Sequence, residues 1–432
     1  MLCRRVSQAP REASLWQDVR VMRALLLENC HSVAVQMLEK AGYSVTSLPG
    51  ALGEAELIEA LEGVHILGIR SKTQVSRQVL DARPELLAIG AFCIGTNQVD
   101  LAAAAARGVA VFNAPYSNTR SVVELALCEI IGLTRHVAPL NQSLHAGVWN
   151  KTAEGSHEVR GRTLGIIGYG NIGSQLSVLA ENLGMKVVFF DLSEKLSLGN
   201  ATRVDSLEDL LKVSDAVTIH VDGRPENTGF FGAQQFAQMK PGAVFLNLSR
   251  GHVVDVDALK EALVSGHISG AGVDVFPEEP KKRGDHFESP LRGLDNVILS
   301  PHVGGSTEEA QRNIGEFVAA KLRDYLATGS TMLSVNLPNL QLAATGVGRI
   351  MLLHKNVPGV LAAINQVFAE YGCNIDGQML ATSGDLGYVV TDISDVAQRG
   401  ASSRLIEMDT TIRLRIRDAY ERPEFPPGPA AA

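Results

Sequence analysis

The chain has 432 residues, of which 45% are hydrophobic and 20% are charged, and its formal net charge is −8. This length exceeds what one hydrophobic core usually supports, so two or three domains are expected. The negative charge argues against a general nucleic-acid surface. Five cysteines without metal-ligand spacing argue against a disulfide framework or a metal site and favour the cytoplasm. We expect residues 1–21 and the proline- and alanine-rich residues 421–432 to be disordered.

The first half of the chain alternates between apolar runs and segments with helical spacing. Residues 24–27 and 64–69 are apolar runs, and the alternation continues to about residue 115. Alternating strands and helices are typical of a parallel, doubly wound α/β domain. The sequence therefore predicts a first α/β domain over residues 22–117.

A glycine-rich turn follows the next clear apolar run. Gly168, Gly170 and Gly173 have the spacing G-x-G-x-x-G, and a helical pattern of leucines comes after them. The first glycine permits the tight turn, the second lets a pyrophosphate approach the backbone, and the third lets helix and strand pack closely. Asp191 ends the following apolar run, where a carboxylate accepts a hydrogen bond from a ribose hydroxyl. The pattern predicts an NAD site, because a carboxylate there repels the 2′-phosphate of NADP.

Later apolar runs complete this domain and begin another. The runs at 187–190, 216–220, 244–248, 270–275 and 297–299 predict one Rossmann domain over residues 118–304. Residues 305–345 carry a helical pattern and then a segment typical of a linker. Strand and helix patterns beyond it predict a small α+β domain over residues 348–420.

Two features of this last segment carry specific expectations. Arg413, Arg415 and Arg417 alternate with apolar residues, so we expect the last strand to have one buried face and one solvated, arginine-bearing face. Gly400 and several serines interrupt residues 395–408. The second helix of the domain is therefore only weakly indicated.

Arg250, Glu279 and His302 stand at predicted strand ends or in glycine-rich loops. Ligands of an open α/β sheet bind outside the carboxyl ends of its strands. Oxidation of a secondary alcohol by NAD needs a base for the hydroxyl proton, a cation for the carbonyl oxygen and a group that orients the base. Histidine, arginine and glutamate supply these groups, although each residue taken alone can also have a purely structural role.

The segments around these residues resemble the D-isomer-specific 2-hydroxyacid dehydrogenases. The resemblance runs from about residue 24 to about residue 420 and includes 161–173, 247–255, 274–280 and 302–310. It implies that residues 22–117 and 305–345 form a discontinuous substrate-binding domain beside the NAD-binding Rossmann domain. It also implies that Arg250 binds the substrate, that His302 transfers the proton and that Glu279 is the partner of His302. A homo-oligomer, a tetramer by resemblance, is expected.

The resemblance further implies contacts to NAD and to substrate. The implied NAD contacts are Gly168, Gly170, Asn171, Ile172, Gly173, Asp191, Leu248, Ser249, Arg250, Asp274, His302, Val303, Gly304 and Gly305. Residues 70–73, 93–100 and 113–121 are similar to signatures of the members that act on 3-phosphoglycerate. The implied substrate contacts are Arg70, Ser71, Lys72, Ile94, Gly95, Asn118 and Lys151. Arg70 and Lys72 can present two cations to a phosphate, and no metal is expected.

Residues 354–360 resemble the serine-binding loop of an ACT domain, a β-α-β-β-α-β effector module. His354, Asn356 and Asn374 can meet the polar groups of L-serine. The family has an adjacent glycine pair at its hinge, whereas Val347 separates Gly346 from Gly348 here. We therefore expect L-serine to act as an effector with partial inhibition.

Together these features predict an NAD-dependent dehydrogenase that oxidises 3-phosphoglycerate to 3-phosphohydroxypyruvate in L-serine synthesis. Two alternatives stay open at this point. One is another D-2-hydroxyacid dehydrogenase, such as a 2-oxoglutarate reductase. The other is a non-catalytic protein that senses NAD with the same fold.

Overall fold

The computed structural model describes residues 21–280, 284–343, 348–394 and 398–417, and the strands in these ranges form three sheets. The chain divides into two compact units: one joins the residues up to Pro115 with those from Arg312 onward, and the other is Tyr116–Gln311. None of the helices in the described ranges combines the length and apolar character that a bilayer span requires. The finer domain boundaries given above stay predictions.

The first sheet is parallel and lies in the first unit. Its strand order is β2-β1-β3-β4-β5. The strands are β1 Arg23–Leu26, β2 Ser44–Ser47, β3 Ile66–Ile69, β4 Ala88–Ala91 and β5 Ala110–Phe112. The helices are α1 Ser32–Lys40, α2 Glu54–Ala60, α3 Arg77–Ala82 and α4 Leu101–Ala106. β3 and β4 are buried along their whole length because apolar clusters cover both faces of the sheet.

The second sheet is also parallel and lies in the second unit, with the order β12-β11-β10-β9-β6-β7-β8. The strands are β6 Thr163–Ile167, β7 Lys186–Phe190, β8 Thr202–Arg203, β9 Ala216–Ile219, β10 Ala243–Asn247, β11 Ile268–Val273 and β12 Val297–Leu299. The helices are α5 Thr119–Thr134, α6 Val137–His145, α7 Asn171–Asn182, α8 Leu207–Val213, α9 Ala233–Gln238 and α10 Val256–Val264. The strand order reverses between β6 and β9, which is where a doubly wound sheet opens a ligand crevice.

The third sheet is antiparallel, with the order β14-β15-β13-β16. The helix α11 Glu308–Thr328 precedes this sheet in the chain. The strands are β13 Gly348–Lys355, β14 Ile375–Ser383, β15 Leu386–Ile393 and β16 Thr411–Arg417, and the helices between them are α12 Val360–Glu370 and α13 Gln398–Ile406. Apolar residues of β13 and β16 pack against α12 and α13 on one face. The predicted class is confirmed: two parallel α/β sheets and a C-terminal antiparallel α+β domain.

The prediction of a solvated arginine face on the last strand is wrong. Arg415 is only 7% exposed. Nη2 of Arg415 and Nη1 of Arg417 donate to the carbonyl of Leu326 near the end of α11, at 3.1 and 3.3 Å. Arg413 donates to the carbonyl of Leu86 at 2.7 Å. The last carbonyls of a helix lack partners within the helix and attract cations, so a second packed element covers this face.

The weak indication of the second helix is also corrected, because α13 continues through Gly400. A β-carbon on Gly400 would lie 2.6 Å from the Tyr371 ring, so glycine permits a close approach that a larger residue would prevent. Ala401 and Leu405 are fully buried. Packing therefore overrides the low helix propensity of this segment. The predicted hinge residues Gly346 and Val347 lie outside the described residues.

Candidate active site

The three glycines of the turn between β6 and α7 occupy distinct environments. Gly168 has a positive φ of 91°, and a β-carbon there would lie 2.7 Å from the carbonyl oxygen of His220. A β-carbon on Gly173 would overlap the backbone of Gly168, whereas one on Gly170 would have no neighbour within 4 Å. The open space beside Gly170, at the start of α7, is where a pyrophosphate can approach the free N–H groups of the first helical turn.

Asp191, at the end of β7, braces this turn. Its Oδ2 accepts a hydrogen bond from the backbone N–H of Tyr169 at 2.8 Å, and its Oδ1 accepts from the N–H and hydroxyl of Ser193 at 2.9 and 2.8 Å. Burial opposes ionisation, but these donors outweigh it and hold the pKa of Asp191 below its usual value. The carboxylate is therefore ionised and fixed beside the glycine turn, as a ribose-binding group must be. These residues fit an NAD molecule.

His302 and Glu279 form a direct pair in the second unit. Nδ1 of His302 lies 3.0 Å from Oε1 and 2.9 Å from Oε2 of Glu279. Glu279 Oε1 also accepts a hydrogen bond from the backbone N–H of Phe276 at 3.1 Å. Because Nδ1 faces the carboxylate, Nε2 is the ring nitrogen that can exchange a proton with a substrate.

The pair shifts the pKa of both of its members. The hydrogen bond with Glu279 raises the pKa of His302 above its usual value, against burial, which lowers it. Burial opposes ionisation of Glu279, but the hydrogen bond from His302 and the Phe276 N–H outweigh it and lower the pKa of the carboxyl. An imidazole whose pKa is raised in this way can act as an acid in one direction of a reaction and as a base in the other.

The loop that carries His302 is held by Asp274, which is buried just after β11. Asp274 accepts from the backbone N–H of Val303 and of Gly304, both at 2.8 Å, and from the hydroxyl of Ser300 at 2.6 Å. His302 itself has a left-handed φ of 54°, which is uncommon outside glycine and concentrates at functional sites. The carboxylate oxygens of Asp274 therefore hold this loop in place, and its contact with the cofactor stays a prediction.

Arg250 follows β10 and begins a short 3-10 turn, Gly251–Val253. Asn247 fixes the turn: its Nδ2 donates to the carbonyl of Arg250 at 3.1 Å, and its Oδ1 accepts from the N–H and hydroxyl of Ser249. A β-carbon on Gly251 would overlap the backbone of Phe276, so this glycine permits the close approach of the two loops. Arg250 lies close enough to His302 for its charge to oppose protonation of the imidazole.

The remaining predicted residues fall into both units. Asn118 precedes α5 in the second unit and packs against Gly305, where a β-carbon would overlap its amide. Lys151 is exposed in the same unit. The other predicted substrate contacts lie in the first unit, in the loops after β3 and β4: Arg70, Ser71, Lys72, Ile94 and Gly95.

The predicted effector residues do not meet within one chain. His354, near the end of β13, pairs with Gly387, while Asn374 directly precedes Ile375, which pairs with Ile393 at the other end of the sheet. At about 3.3 Å per residue, these ends are roughly 20 Å apart. His354 is buried, and its Nε2 has no partner among the described residues. Nδ2 of Asn356 donates to the Gly384 carbonyl at 3.0 Å.

Sequence reasoning missed the residues that support the site. Asn247 and Ser300 each contact a backbone or side chain of a predicted functional residue. Each was hidden because a short polar residue beside a strand is common in any α/β domain. The one available signal was position, since Asn247 and Ser300 close β10 and β12, at the edge of the sheet where ligands bind.

Comparison with known proteins agrees with this geometry. Residues 127–304 match the family profile described as D-isomer specific 2-hydroxyacid dehydrogenase, NAD binding domain. Residues 350–413 match the profile described as AHAS small subunit-like ACT domain.

Over most of its length the chain is also similar to curated proteins. It is 51% identical over 399 residues to D-3-phosphoglycerate dehydrogenase of Escherichia coli strain K12, covering 91% of this chain and 97% of that protein. It is 50% identical over 401 residues to the Haemophilus influenzae enzyme of that name, covering 92% and 98%. Among solved structures, D-2-hydroxyisocaproate dehydrogenase aligns with a TM-score of 0.66 and 26% identity, covering 73% of this chain and 100% of that one.

Proposed function

The chain belongs to the D-isomer specific 2-hydroxyacid dehydrogenases, and we propose that it oxidises D-3-phosphoglycerate to 3-phosphohydroxypyruvate, the first step of L-serine formation. It is an oxidoreductase, and its cofactor is NAD. The observation that carries the proposal is the hydrogen bond between His302 and Glu279 beside Arg250, in a sheet whose glycine turn fits a dinucleotide. We place the reaction in the cytoplasm, as the free thiols of Cys30 and Cys93 favour.

In the proposed oxidation, the C2 hydroxyl of the substrate gives its proton to Nε2 of His302 while the C2 hydrogen leaves as a hydride. Bound NAD⁺ supplies the acceptor for that hydride. Glu279 stabilises the imidazolium that forms and keeps the ring in one orientation. Arg250 binds the carboxylate and stabilises the charge on the oxygen that becomes the carbonyl. In the reverse direction His302 returns the proton to that oxygen.

Selectivity for a phosphorylated substrate is assigned to the first unit. Arg70 and Lys72 form no ion pair within the described residues, and Ser71 and Lys72 are exposed. Two available cations next to a hydroxyl suit a phosphate dianion. Ile94 and Gly95 supply backbone groups for the carboxylate, and Lys151 adds a further cation from its own exposed loop.

Initial rates of NADH oxidation with phosphohydroxypyruvate, 2-oxoglutarate and glyoxylate test the proposal. We expect the highest kcat/KM with phosphohydroxypyruvate. His302→Ala should lower kcat by roughly 10²- to 10⁴-fold with NADH affinity little changed. His157→Ala, an exposed histidine of the same unit that lies outside α6, is the control and should keep full activity.

Each other outcome of this panel has a definite meaning. A preference for 2-oxoglutarate would assign the chain to a different dehydrogenase of the family. An absence of turnover with all three substrates, together with tight NADH binding, would indicate a non-catalytic protein that senses NAD.

We also assign L-serine as an effector of the C-terminal domain. The unpartnered Nε2 of His354 and the amides of Asn356 and Asn374 are the groups available to it. Because His354 and Asn374 stand at opposite ends of the sheet, a site that uses both needs a second copy of the chain. Serine formation by the same pathway makes the inhibition a feedback control.

A homo-oligomer is part of the proposal. α6 has no buried residue, and apolar side chains around it are exposed: Val137, Leu144, Val148 and Trp149, the last at 80%. A group of exposed apolar side chains of this kind marks an interaction surface. Sedimentation of the full chain, with Trp149→Asp as the test variant, would show whether this surface joins copies.

A further inference from the structure

Two loops of the first unit, 70–73 and 93–97, carry the groups assigned above to substrate binding. They follow the adjacent parallel strands β3 and β4 at the same edge of the sheet. Neither loop is a regular element, so other residues must hold their backbones in place. Two buried side chains, Glu28 and Gln98, bind the backbone of these loops.

Glu28 supports the loop after β3. Its Oε1 accepts hydrogen bonds from the backbone N–H of Thr73 at 2.8 Å and of Arg70 at 3.3 Å, and its Oε2 accepts from the N–H of Lys72 at 3.0 Å. Glu28 is only 8% exposed. A buried carboxylate that accepts hydrogen bonds from three backbone amides fixes the loop that donates to it.

The backbone at Glu28 adopts an uncommon conformation that directs its side chain toward this loop. Glu28 and Asn29 have φ values of 62° and 55°, two successive left-handed residues without a glycine between β1 and α1. Such a conformation is unfavourable for residues other than glycine and persists where the surrounding contacts require it. Here it directs the carboxylate of Glu28 at the loop after β3.

Gln98 supports the same loop from the other side. Its Nε2 donates to the carbonyl of Arg70 at 2.6 Å and to the carbonyl of Gly95 at 3.2 Å. Gln98 is 3% exposed, so these bonds are shielded from water. The N–H of Arg70 is held by Glu28 and its carbonyl by Gln98, and Gln98 also ties the loop after β4 to the loop after β3.

We propose that Glu28, assisted by Gln98, is a positioning residue that sets specificity for a phosphorylated substrate. Glu28 binds backbone amides and forms no ion pair with Arg70 or Lys72 among the described contacts. The two cationic side chains therefore stay available to the phosphate, and their backbone is immobilised in advance. This inference rests on the proposed function, because it assumes that Arg70 and Lys72 bind the phosphate.

The proposal makes a prediction opposite in sign to simple electrostatics. An anion close to a phosphate site repels the phosphate, so its removal should strengthen binding if charge alone mattered. If Glu28 acts by positioning, Glu28→Gln should weaken binding, because the glutamine amide places a donor against a backbone donor and the loop loses its anchor.

The experiment compares phosphohydroxypyruvate with hydroxypyruvate, which lacks the phosphate, in the full chain. For Glu28→Gln we expect KM for phosphohydroxypyruvate to rise roughly tenfold to a hundredfold, the effect of losing charge-assisted hydrogen bonds. The kcat and the Kd of NADH should stay close to wild type, and KM for hydroxypyruvate should change by less than about threefold.

Two further variants keep the result interpretable. Glu62→Gln removes one exposed negative charge from the same unit and should leave both KM values unchanged. Gln98→Met keeps the volume but loses the bonds to Arg70 and Gly95, so it should reproduce the KM pattern of Glu28→Gln even if that variant folds poorly. Thermal unfolding of each protein identifies a folding defect.

The outcomes separate the two proposals. A wild-type chain with no preference for phosphohydroxypyruvate over hydroxypyruvate would contradict the proposed function itself. A wild-type chain that has the preference, with folded Glu28→Gln and Gln98→Met proteins that keep it unchanged or enhanced, would overturn only the positioning role.

Discussion

At the scale of single residues, Glu279 affects both the orientation and the protonation of His302. Both carboxylate oxygens lie within 3.0 Å of Nδ1, so the negative charge stabilises the imidazolium as well as the ring position. Reduction of a ketone needs a protonated His302, and oxidation of an alcohol needs a neutral one. The pH dependence of the two directions therefore reports on this pair.

The variant Glu279→Gln tests the pairing of Glu279 with His302, because glutamine keeps the shape of the side chain and one acceptor but removes the charge. The pKa of His302 should fall, so the alkaline limb of the reduction profile should move to lower pH. The oxidation reaction should extend to lower pH for the same reason. Profiles of kcat/KM in both directions measure these limbs. Glu278→Gln, the neighbouring exposed carboxylate, is the control, and superimposable profiles for wild type and Glu279→Gln would contradict the assigned pairing.

Glu129 poses a different electrostatic problem in the same unit. It lies on α5 with 1% exposure, and neither carboxylate oxygen has a partner in the described structure. Burial, with a smaller effect from the charge of Asp274, raises the pKa of Glu129 to about 8. The folded protein therefore holds this proton at pH values where the unfolded chain, with a usual carboxyl pKa near 4.5, has released it.

Stability should consequently fall as pH rises through the window from about 4.5 to about 8, because the folded state binds the extra proton there. Glu129→Gln removes the ionisation without changing the shape. We expect this variant to match wild type near pH 4.5 and to have a higher Tm at pH 8. Glu124→Gln, on an exposed turn of the same helix, should follow wild type at both pH values. A lower Tm for Glu129→Gln at pH 8 would show that the carboxylate has a favourable role.

At the scale of elements, the third sheet is fixed to α11 by arginines. Arg349 pairs with Asp392 at 2.6 Å and donates to the carbonyls of Thr328 and Leu342. Arg415 lies over the Tyr325 ring, 4.5 Å from its centroid, and donates to carbonyls of the last helical turn. Cations at a helix C-terminus are favoured by its dipole, so the sheet has a specific docking position on this helix.

Arg415→Met measures that docking. The variant keeps the apolar stem but leaves buried carbonyls without a donor and loses the ring contact, which should cost roughly 2 kcal/mol of unfolding free energy. Denaturant unfolding of the full chain gives this value. Arg404→Met, an exposed arginine on α13, should have almost no effect. Equal stability of the two variants would mean that the arginine contacts contribute little.

The elements differ in how well the sequence alone predicts them. Strands such as β10 and the core of β6 were predicted because continuous apolar runs mark strands buried on both faces. The glycine turn was predicted from its G-x-G-x-x-G spacing. Arg250, Glu279 and His302 were predicted from their positions at strand ends or in glycine-rich loops and from the family resemblance of the segments around them. Contacts with residues distant in sequence determine the burial of the β16 face, the helix at Gly400 and the hydrogen bonds of Glu28. A local sequence pattern does not show such contacts, so these features could not be predicted from it.

At the scale of the whole molecule, the C-terminal sheet is part of the first unit. Met351 and Tyr388 join the same apolar cluster as Leu322 and Phe112, and the Tyr388 hydroxyl donates to the Gly329 carbonyl at 2.8 Å. An effector bound to this sheet can act only through a difference in its affinity for two arrangements of the protein. A site shared between two copies would couple that difference to their association.

Mixed assemblies test the shared site directly. Assemblies of His354→Ala alone or Asn374→Ala alone should not respond to L-serine, since every site lacks one group. When the two kinds of chain are mixed, an interface between them pairs the intact His354 of one copy with the intact Asn374 of the other, so partial serine inhibition should return.

The matched control mixes wild type with the double variant His354→Ala, Asn374→Ala, which has the same number of changes. Its mixed interfaces contain no intact pair, and any response must come from wild-type pairs. Steady-state inhibition of purified mixed assemblies measures both cases. A response no greater in the first mixture than in its parents would contradict an effector site formed by His354 of one copy and Asn374 of another.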